Sequence, residues 1–191
     1  MAFRAYDVRG VYGVDIDEDF AERLGLAFGL YVGGGRVVVG WDGRRSSPQL
    51  SRALMDGLRM AGCQVLDMGL TATPALYYGI RSSGADGGVM VTASHNPPEW
   101  NGFKLCGPDA RVICMGRGLE RVREIFMSGP KPRGGGSIVK AGGLTQEYVG
   151  YLRSLIPRQV GARFVVDAGC GAAAVIVHRL FDGLNVRIIN G

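Results

Sequence analysis

Gly88-Val89-Met90-Val91-Thr92-Ala93-Ser94-His95-Asn96-Pro97 changes character at its midpoint, and that change decides the fold. The first four residues are a short apolar run of the kind that forms a buried strand. The next six bring hydroxyl, imidazole and amide groups and a proline. Such groups enter a core unpaired only at a large desolvation cost, so the chain surfaces here as a loop. Open α/β proteins bind their ligands at the carboxyl ends of sheet strands. This loop therefore presents the hydroxyl of Ser94 beside His95 and Asn96, with Lys104 a little further on. These groups form a candidate phosphate-handling site.

Strand-like and helix-like segments alternate on either side of it. Phe20, Leu24, Ala27, Phe28 and Tyr31 recur at helical spacing within residues 18–32, and residues 36–40 form a β-branched strand ended by Trp41-Asp42-Gly43-Arg44. Ser47 is placed to cap a helix that begins at Pro48 and stops at Gly62, since proline suits the first helical position. Residues 64–68 read as the next strand, and Thr73-Pro74 opens a helix reaching about Ser82. This order predicts a three-layer α/β/α domain with a mixed, mainly parallel sheet. Residues 128–137, with two prolines and four glycines, read as a linker. A helix over 145–156 follows, then a strand at 163–167, a glycine turn, a helix over 172–181 and a strand at 186–189. One such βαβ unit has too little core to stand alone. The expectation is a first domain over 1–140 and, over 141–191, a connecting helix with the incomplete start of a second, similar domain.

Composition narrows the partners. Of the 191 residues 47% are hydrophobic and 20% charged, and the net charge of +5 suits an anionic ligand. The arginines are scattered and no basic cluster alternates with aromatics, which argues against nucleic acid. No apolar run reaches the roughly 20 residues of a membrane span, and Met1-Ala2-Phe3-Arg4 is too polar for a secretory signal. Cys63, Cys106, Cys114 and Cys170 lack metal-site spacing and read as reduced thiols of a cytoplasmic protein.

Each candidate residue has a plainer reading beside the chemical one. His95 packs a loop or acts in the site, and Lys104 is a solvated lysine or returns to the cleft. Arg9 follows Tyr6 and Asp7 in a segment too charged for a core strand, where an Asp7–Arg9 or Arg4–Asp7 ion pair competes with a ligand role. Asp42 and Arg44 read as turn residues. Gly169-Cys170-Gly171-Ala172-Ala173-Ala174 superficially fits a dinucleotide-binding fingerprint, but the expected acid about 20 residues on is missing, so a tight βα turn is the better account. Tyr77-Tyr78 reads as packing. No G-x-S-x-G elbow surrounds Ser94, which argues against a serine hydrolase.

Several stretches, in order, resemble the α-D-phosphohexomutase family, in its phosphomannomutase/phosphoglucomutase branch. They are Phe3-Arg4-Ala5-Tyr6-Asp7-Val8-Arg9-Gly10, Gly40-Trp41-Asp42-Gly43-Arg44, Thr73-Pro74, the serine loop, Asn101-Gly102-Phe103-Lys104, and Val165-Val166-Asp167-Ala168-Gly169-Cys170-Gly171. The resemblance implies interconversion of hexose 1-phosphate and hexose 6-phosphate through a bisphosphorylated sugar, with Ser94 as phosphorylated carrier and hexose 1,6-bisphosphate as activator. A phosphoserine carries close to two negative charges, so Mg2+ is implied beside it, bound through the Ser94 phosphate. His95, Lys104 and Arg9 would stabilise charge, and either His95 or Lys104 would assist proton transfer. Tyr6, Arg9 and Lys104 are similar to residues that bind the phosphorylated hexose, and Asn96 to one that holds the loop. The family's metal ligands lie in an Asp-x-Asp-x-Asp loop of the second domain, which residues 141–191 do not contain. The metal and sugar-reading sites are thus expected from further C-terminal domains or a complementing chain, with this chain inactive alone. The alternative is a non-catalytic half-protein that works only through a partner.

Overall fold

The computed structural model describes residues 2–157 and 162–191. Six strands form the main sheet in the order β1-β5-β4-β2-β3-β6. They are β1 (Val8–Val11), β2 (Arg36–Trp41), β3 (Gln64–Leu70), β4 (Gly87–Val91), β5 (Trp100–Cys106) and β6 (Ser137–Lys140). The pairs β2–β3, β2–β4 and β3–β6 are parallel, whereas β5 runs antiparallel to both β4 and β1. The sheet is therefore mixed and mainly parallel, as the alternation of segments predicts.

Residue alternation along these strands builds two cores. Val37, Val39, Val65, Val89, Val91, Phe103 and Leu105 face α1 (Glu18–Tyr31), α2 (Ser47–Met60) and α4 (Leu119–Met127). Val38, Met68 and Met90 face the other way, onto α3 (Thr73–Ser82) and α5 (Gly143–Leu155). Helices α1 and α2 meet through glycine. A Cβ on Gly25 would strike the Leu54 carbonyl, and one on Gly57 would strike that of Glu22.

Three local expectations are corrected. The charged segment at Arg9 does form a strand, because β1 lies at the sheet edge and buries only one face, with Val8 inward. Ser47 is the first residue of α2 rather than its cap, and its hydroxyl donates to Asp42 instead. The glycine-rich stretch is docked at its far end: the Arg133 and Gly134 N–H groups donate to Met60 O, and Ser137 opens β6. Beyond α5, β7 (Phe164–Asp167), α6 (Ala174–Leu180) and β8 (Val186–Ile189) form a parallel βαβ unit with its own two-stranded sheet. Tyr78 of α3 packs on Tyr148 and Tyr151 of α5 at 5.5 Å between ring centroids, the packing role read from sequence. Among the described residues no helix is long and apolar enough to cross a membrane.

Candidate functional site

The chain leaves β2 toward β3 on one side and returns from β3 to β4 on the other, so a crevice opens at the carboxyl ends of β2 and β4. Such a reversal of strand order is where open α/β sheets bind ligands. A cleft of about 760 Å3 lies there. Its walls come from the segment after β2 (Asp42–Arg45), the start of α3 (Ala72, Thr73), the serine loop (Thr92, Ser94–Asn96) and the turn after β7 (Gly169–Ala172).

Ser94 sits at the tip of its loop, exposed and with φ of 58°. A non-glycine residue in this left-handed region carries strain of roughly 1–2 kcal/mol, so something must hold it. Its N–H donates to Thr92 Oγ1 at 2.9 Å. Ser94 Oγ lies 3.3 Å from His95 Nδ1, within reach for a neutral imidazole to take the hydroxyl proton. Asn96 Nδ2 donates to Ala93 O at 2.7 Å and ties the loop to itself.

Arg44 supplies most of the bracing. Its Nη atoms donate to the carbonyls of Ser94, Asn96, Pro97 and Trp100 at 2.7–2.9 Å. Beneath it, Asp42 Oδ1 accepts from Ser47 Oγ at 2.6 Å. Asn101, fully buried, donates to Ser46 Oγ and Ser47 Oγ at 2.8 and 3.0 Å. Sequence reasoning reads Asp42 and Arg44 as turn residues and gives Asn101 no role of its own. The signal for Asn101 is its register: it shares a face with Phe103 and Leu105, and an amide in that apolar series marks a polar network.

The remaining candidates lie outside the cleft lining. Tyr6 is 76% exposed. Arg9 pairs with Gly102 across β1–β5, and its Nε lies 3.4 Å from Asp7 Oδ1, the first of the two ion pairs weighed from sequence. Lys104 pairs with Met90, which is part of the cleft. Register places Arg9, Lys104 and Met90 on one face of the sheet. The structure thus brings Ser94, His95 and Asn96 into one cleft, with Arg9 and Lys104 on the sheet face that leads to it.

The described residues alone do not make a divalent-cation site. Among the described residues no three His, Cys, Asp or Glu side chains come together in a metal-holding group. The cleft carboxylate, Asp42, is engaged by Arg44 and Ser47. Asp15-Ile16-Asp17-Glu18-Asp19 has the alternating acidic spacing but spends it locally. Asp15 accepts from Val11 N at 3.0 Å, and Asp17 caps α1 through Phe20 N at 2.8 Å.

The family model for phosphoglucomutase/phosphomannomutase, alpha/beta/alpha domain I, matches residues 1–115. The chain is 38% identical to the "Phosphohexose mutases" protein of Xanthomonas campestris over 98% of its length and 43% of that protein's. It is 38% identical to the phosphomannomutase/phosphoglucomutase of Pseudomonas aeruginosa, over 98% of this chain and 40% of the relative. The crystal structure of a phosphoglucomutase/phosphomannomutase family protein from Burkholderia thailandensis superimposes with a TM-score of 0.87 at 37% identity, covering 98% of this chain and 43% of that one. The chain spans about two fifths of the length of the curated relatives it matches. It belongs to the phosphoglucomutase/phosphomannomutase family.

Proposed function

We propose that this chain is the phosphoserine-bearing N-terminal part of a phosphohexomutase that interconverts hexose 1-phosphate and hexose 6-phosphate. One observation carries the reading. Ser94 is held in a left-handed conformation at the mouth of the cleft, 3.3 Å from His95 Nδ1. A serine placed so is exposed to ligand yet fixed in position, as phosphoryl transfer requires.

In this reading the phosphoryl group passes from Ser94 Oγ to a free hydroxyl of the bound hexose monophosphate. That hydroxyl gives up its proton to a base, and Ser94 recovers a proton from His95. The bisphosphorylated sugar then returns its other phosphoryl group to Ser94, whose hydroxyl proton passes back to His95 while the base gives its proton to the released sugar oxygen. Two features support an anion at this place. The cleft wall includes the start of α3, which has no side-chain cap and whose positive dipole end favours negative charge. Arg45 lines the cleft, is exposed, and makes no ion pair among the described residues. It is the cation best placed to meet the sugar phosphate. Lys104 and Arg9 would reach the reacting sugar from the adjoining sheet face, with Tyr6 beside them.

Magnesium would take its ligand from this chain through the phosphate on Ser94, with the others supplied by further C-terminal domains or a complementing chain. Residues 1–140 form the first domain in this proposal, and residues 141–191 the connecting helix and the start of the second. The test is incubation of the complete protein, this chain together with its further C-terminal domains or the complementing chain, with 32P-labelled hexose 1,6-bisphosphate and magnesium. Label is expected on Ser94, and none in Ser94→Ala. An unlabelled wild type, or equal labelling of Ser94→Ala, overturns the reading.

A further inference from the structure

We infer that Arg44 is the positioning residue of the serine loop, and that it sets the geometry of Ser94 without binding substrate. The inference rests on the reading of Ser94 as phosphoryl carrier. An arginine in the cleft of an anion-handling protein invites assignment as a phosphate ligand, and a count of its donors argues otherwise. A guanidinium has five N–H bonds. Those of the two Nη atoms serve Pro97 O at 2.7 Å, Trp100 O at 2.9 Å, Ser94 O at 2.8 Å and Asn96 O at 2.7 Å. The fifth, on Nε, lies 3.3 Å from Asp42 Oδ2 in an ion pair. No Nη donor is left for a ligand, and the carboxylate occupies the Nε edge. Arg45, the next residue, carries an exposed guanidinium free of ion pairs among the described residues.

The position of Arg44 is itself fixed. Its side chain is only 13% exposed, and a cation so covered needs its partners in place. Asp42 holds it and in turn accepts from Arg44 N at 3.1 Å and Ser47 Oγ at 2.6 Å. Asn101 joins Ser46 and Ser47 to the first residues of β5, accepting from Gly102 N at 2.8 Å. The end of β2, the start of α2 and the start of β5, whose Trp100 carbonyl also accepts from Arg44, thus form one frame, and the serine loop hangs from it by three carbonyls. The Ser94 carbonyl is one of the three, so the clamp acts directly on the residue whose φ of 58° must be maintained. A lysine keeps the charge but offers one point donor in place of a planar fork, so it cannot span the same carbonyls.

The experiment uses Arg44→Lys in two arms. Hydrogen exchange of the backbone over residues 93–101 should quicken about tenfold or more, as loss of several charge-assisted hydrogen bonds requires, with the rest of the chain unchanged. In the complete protein, with its further C-terminal domains or the complementing chain, phosphoryl transfer from hexose 1,6-bisphosphate to Ser94 should slow by about 100-fold in kcat, the scale of a misplacement near 1 Å, with KM unchanged. Unaltered loop exchange in Arg44→Lys overturns the clamp. Unaltered kcat overturns the positioning role, and so does a raised KM alone, which would make Arg44 a substrate ligand. A wild type that never acquires phosphate defeats the phosphoserine reading instead, and the exchange arm then decides the clamp by itself. Should Arg44→Lys not fold, Asp42→Asn provides the same two arms. It leaves the guanidinium present but unanchored, and both effects should appear in the same direction at smaller size.

Discussion

The two sheets of this chain are written in similar sequence, β-branched strands followed by glycine-containing turns, yet their strands meet opposite surroundings. β4 is buried at all five of its positions. In β7, Phe164 is 46% and Val165 63% exposed, and Ile189 of β8 is 36% exposed. Helices cover both faces of the first sheet, whereas the second has one short helix against it. A loop is only as fixed as the strand that delivers it. The serine loop leaves a strand locked between two cores and is clamped by a covered arginine. The turn at residues 168–171 closes the cleft from a unit whose apolar sides stay open. The proposed chemistry accordingly rests on the first region, and the second contributes only lining to the cleft.

The contrast is tested most severely by stability. Phe103→Ala should cost about 3–5 kcal/mol, because the ring is fully buried between the sheet and α1. Val165→Ala in β7 should change stability by no more than about 0.5 kcal/mol. Urea denaturation followed by circular dichroism distinguishes them, and equal effects would erase the difference between the regions. Gly57→Ala comes next. Its new Cβ meets the Glu22 backbone carbonyl, which forces α1 and α2 apart at a cost of about 1–3 kcal/mol.

Asn101→Ala should cost about 1–3 kcal/mol, because the Ser46 and Ser47 hydroxyls lose a buried partner. The frame beneath the serine loop loosens with it, so quickened hydrogen exchange over residues 93–101 should accompany the lower denaturation midpoint. A destabilised protein with an unchanged loop would separate the network from the site.

Cysteine chemistry sharpens the same contrast without mutation. Burial pushes the Cys63 and Cys106 thiols up to about 11, so near pH 8 both are protonated and shielded from alkylation. Cys170, exposed in the turn after β7, should react first with iodoacetamide. Mass mapping that finds Cys63 or Cys106 modified earlier would mean the first core opens readily.

The smallest effect concerns acid. Asp167 accepts from Gly169 N at 2.9 Å and Asn190 Nδ2 at 3.0 Å, which hold its carboxyl below the ordinary 3.8. A carboxyl depressed in the folded state adds stability above its ordinary value and loses it as pH falls through the folded one. The turn after β7 and its tie to Asn190 beyond β8 should therefore loosen below pH 3.8, before the main sheet does. Proton chemical shifts of Gly169 and Asn190 across that range would report it, and simultaneous loss of both sheets would contradict it.

Much of the fold was legible because β2, β3, β4 and the helices between them carry local signals: β-branched runs, Thr73-Pro74, and glycine just past α2 at Gly62. β1 was hidden because its charges are those of an edge strand, with Arg9 out and Val8 in. β6 was hidden inside a glycine-rich stretch, and all four of its residues are exposed. At the site, Thr92, Ser94, His95 and Asn96 of the serine loop announce themselves after an apolar strand. The frame does not, because Arg44 and Asn101 lie 50 and 7 positions from Ser94 and act on backbone carbonyls or hydroxyls. Partners of that kind leave no spacing in the sequence, and only the folded chain brings them together.

The most direct measurement is intact-mass spectrometry of the protein purified from its native source, with fragmentation across residues 92–97. The account predicts one phosphate, on Ser94, lost on incubation with hexose monophosphate and restored by hexose 1,6-bisphosphate. An unmodified Ser94 that stays unmodified after the bisphosphate, or a phosphate carried on another residue, would contradict it.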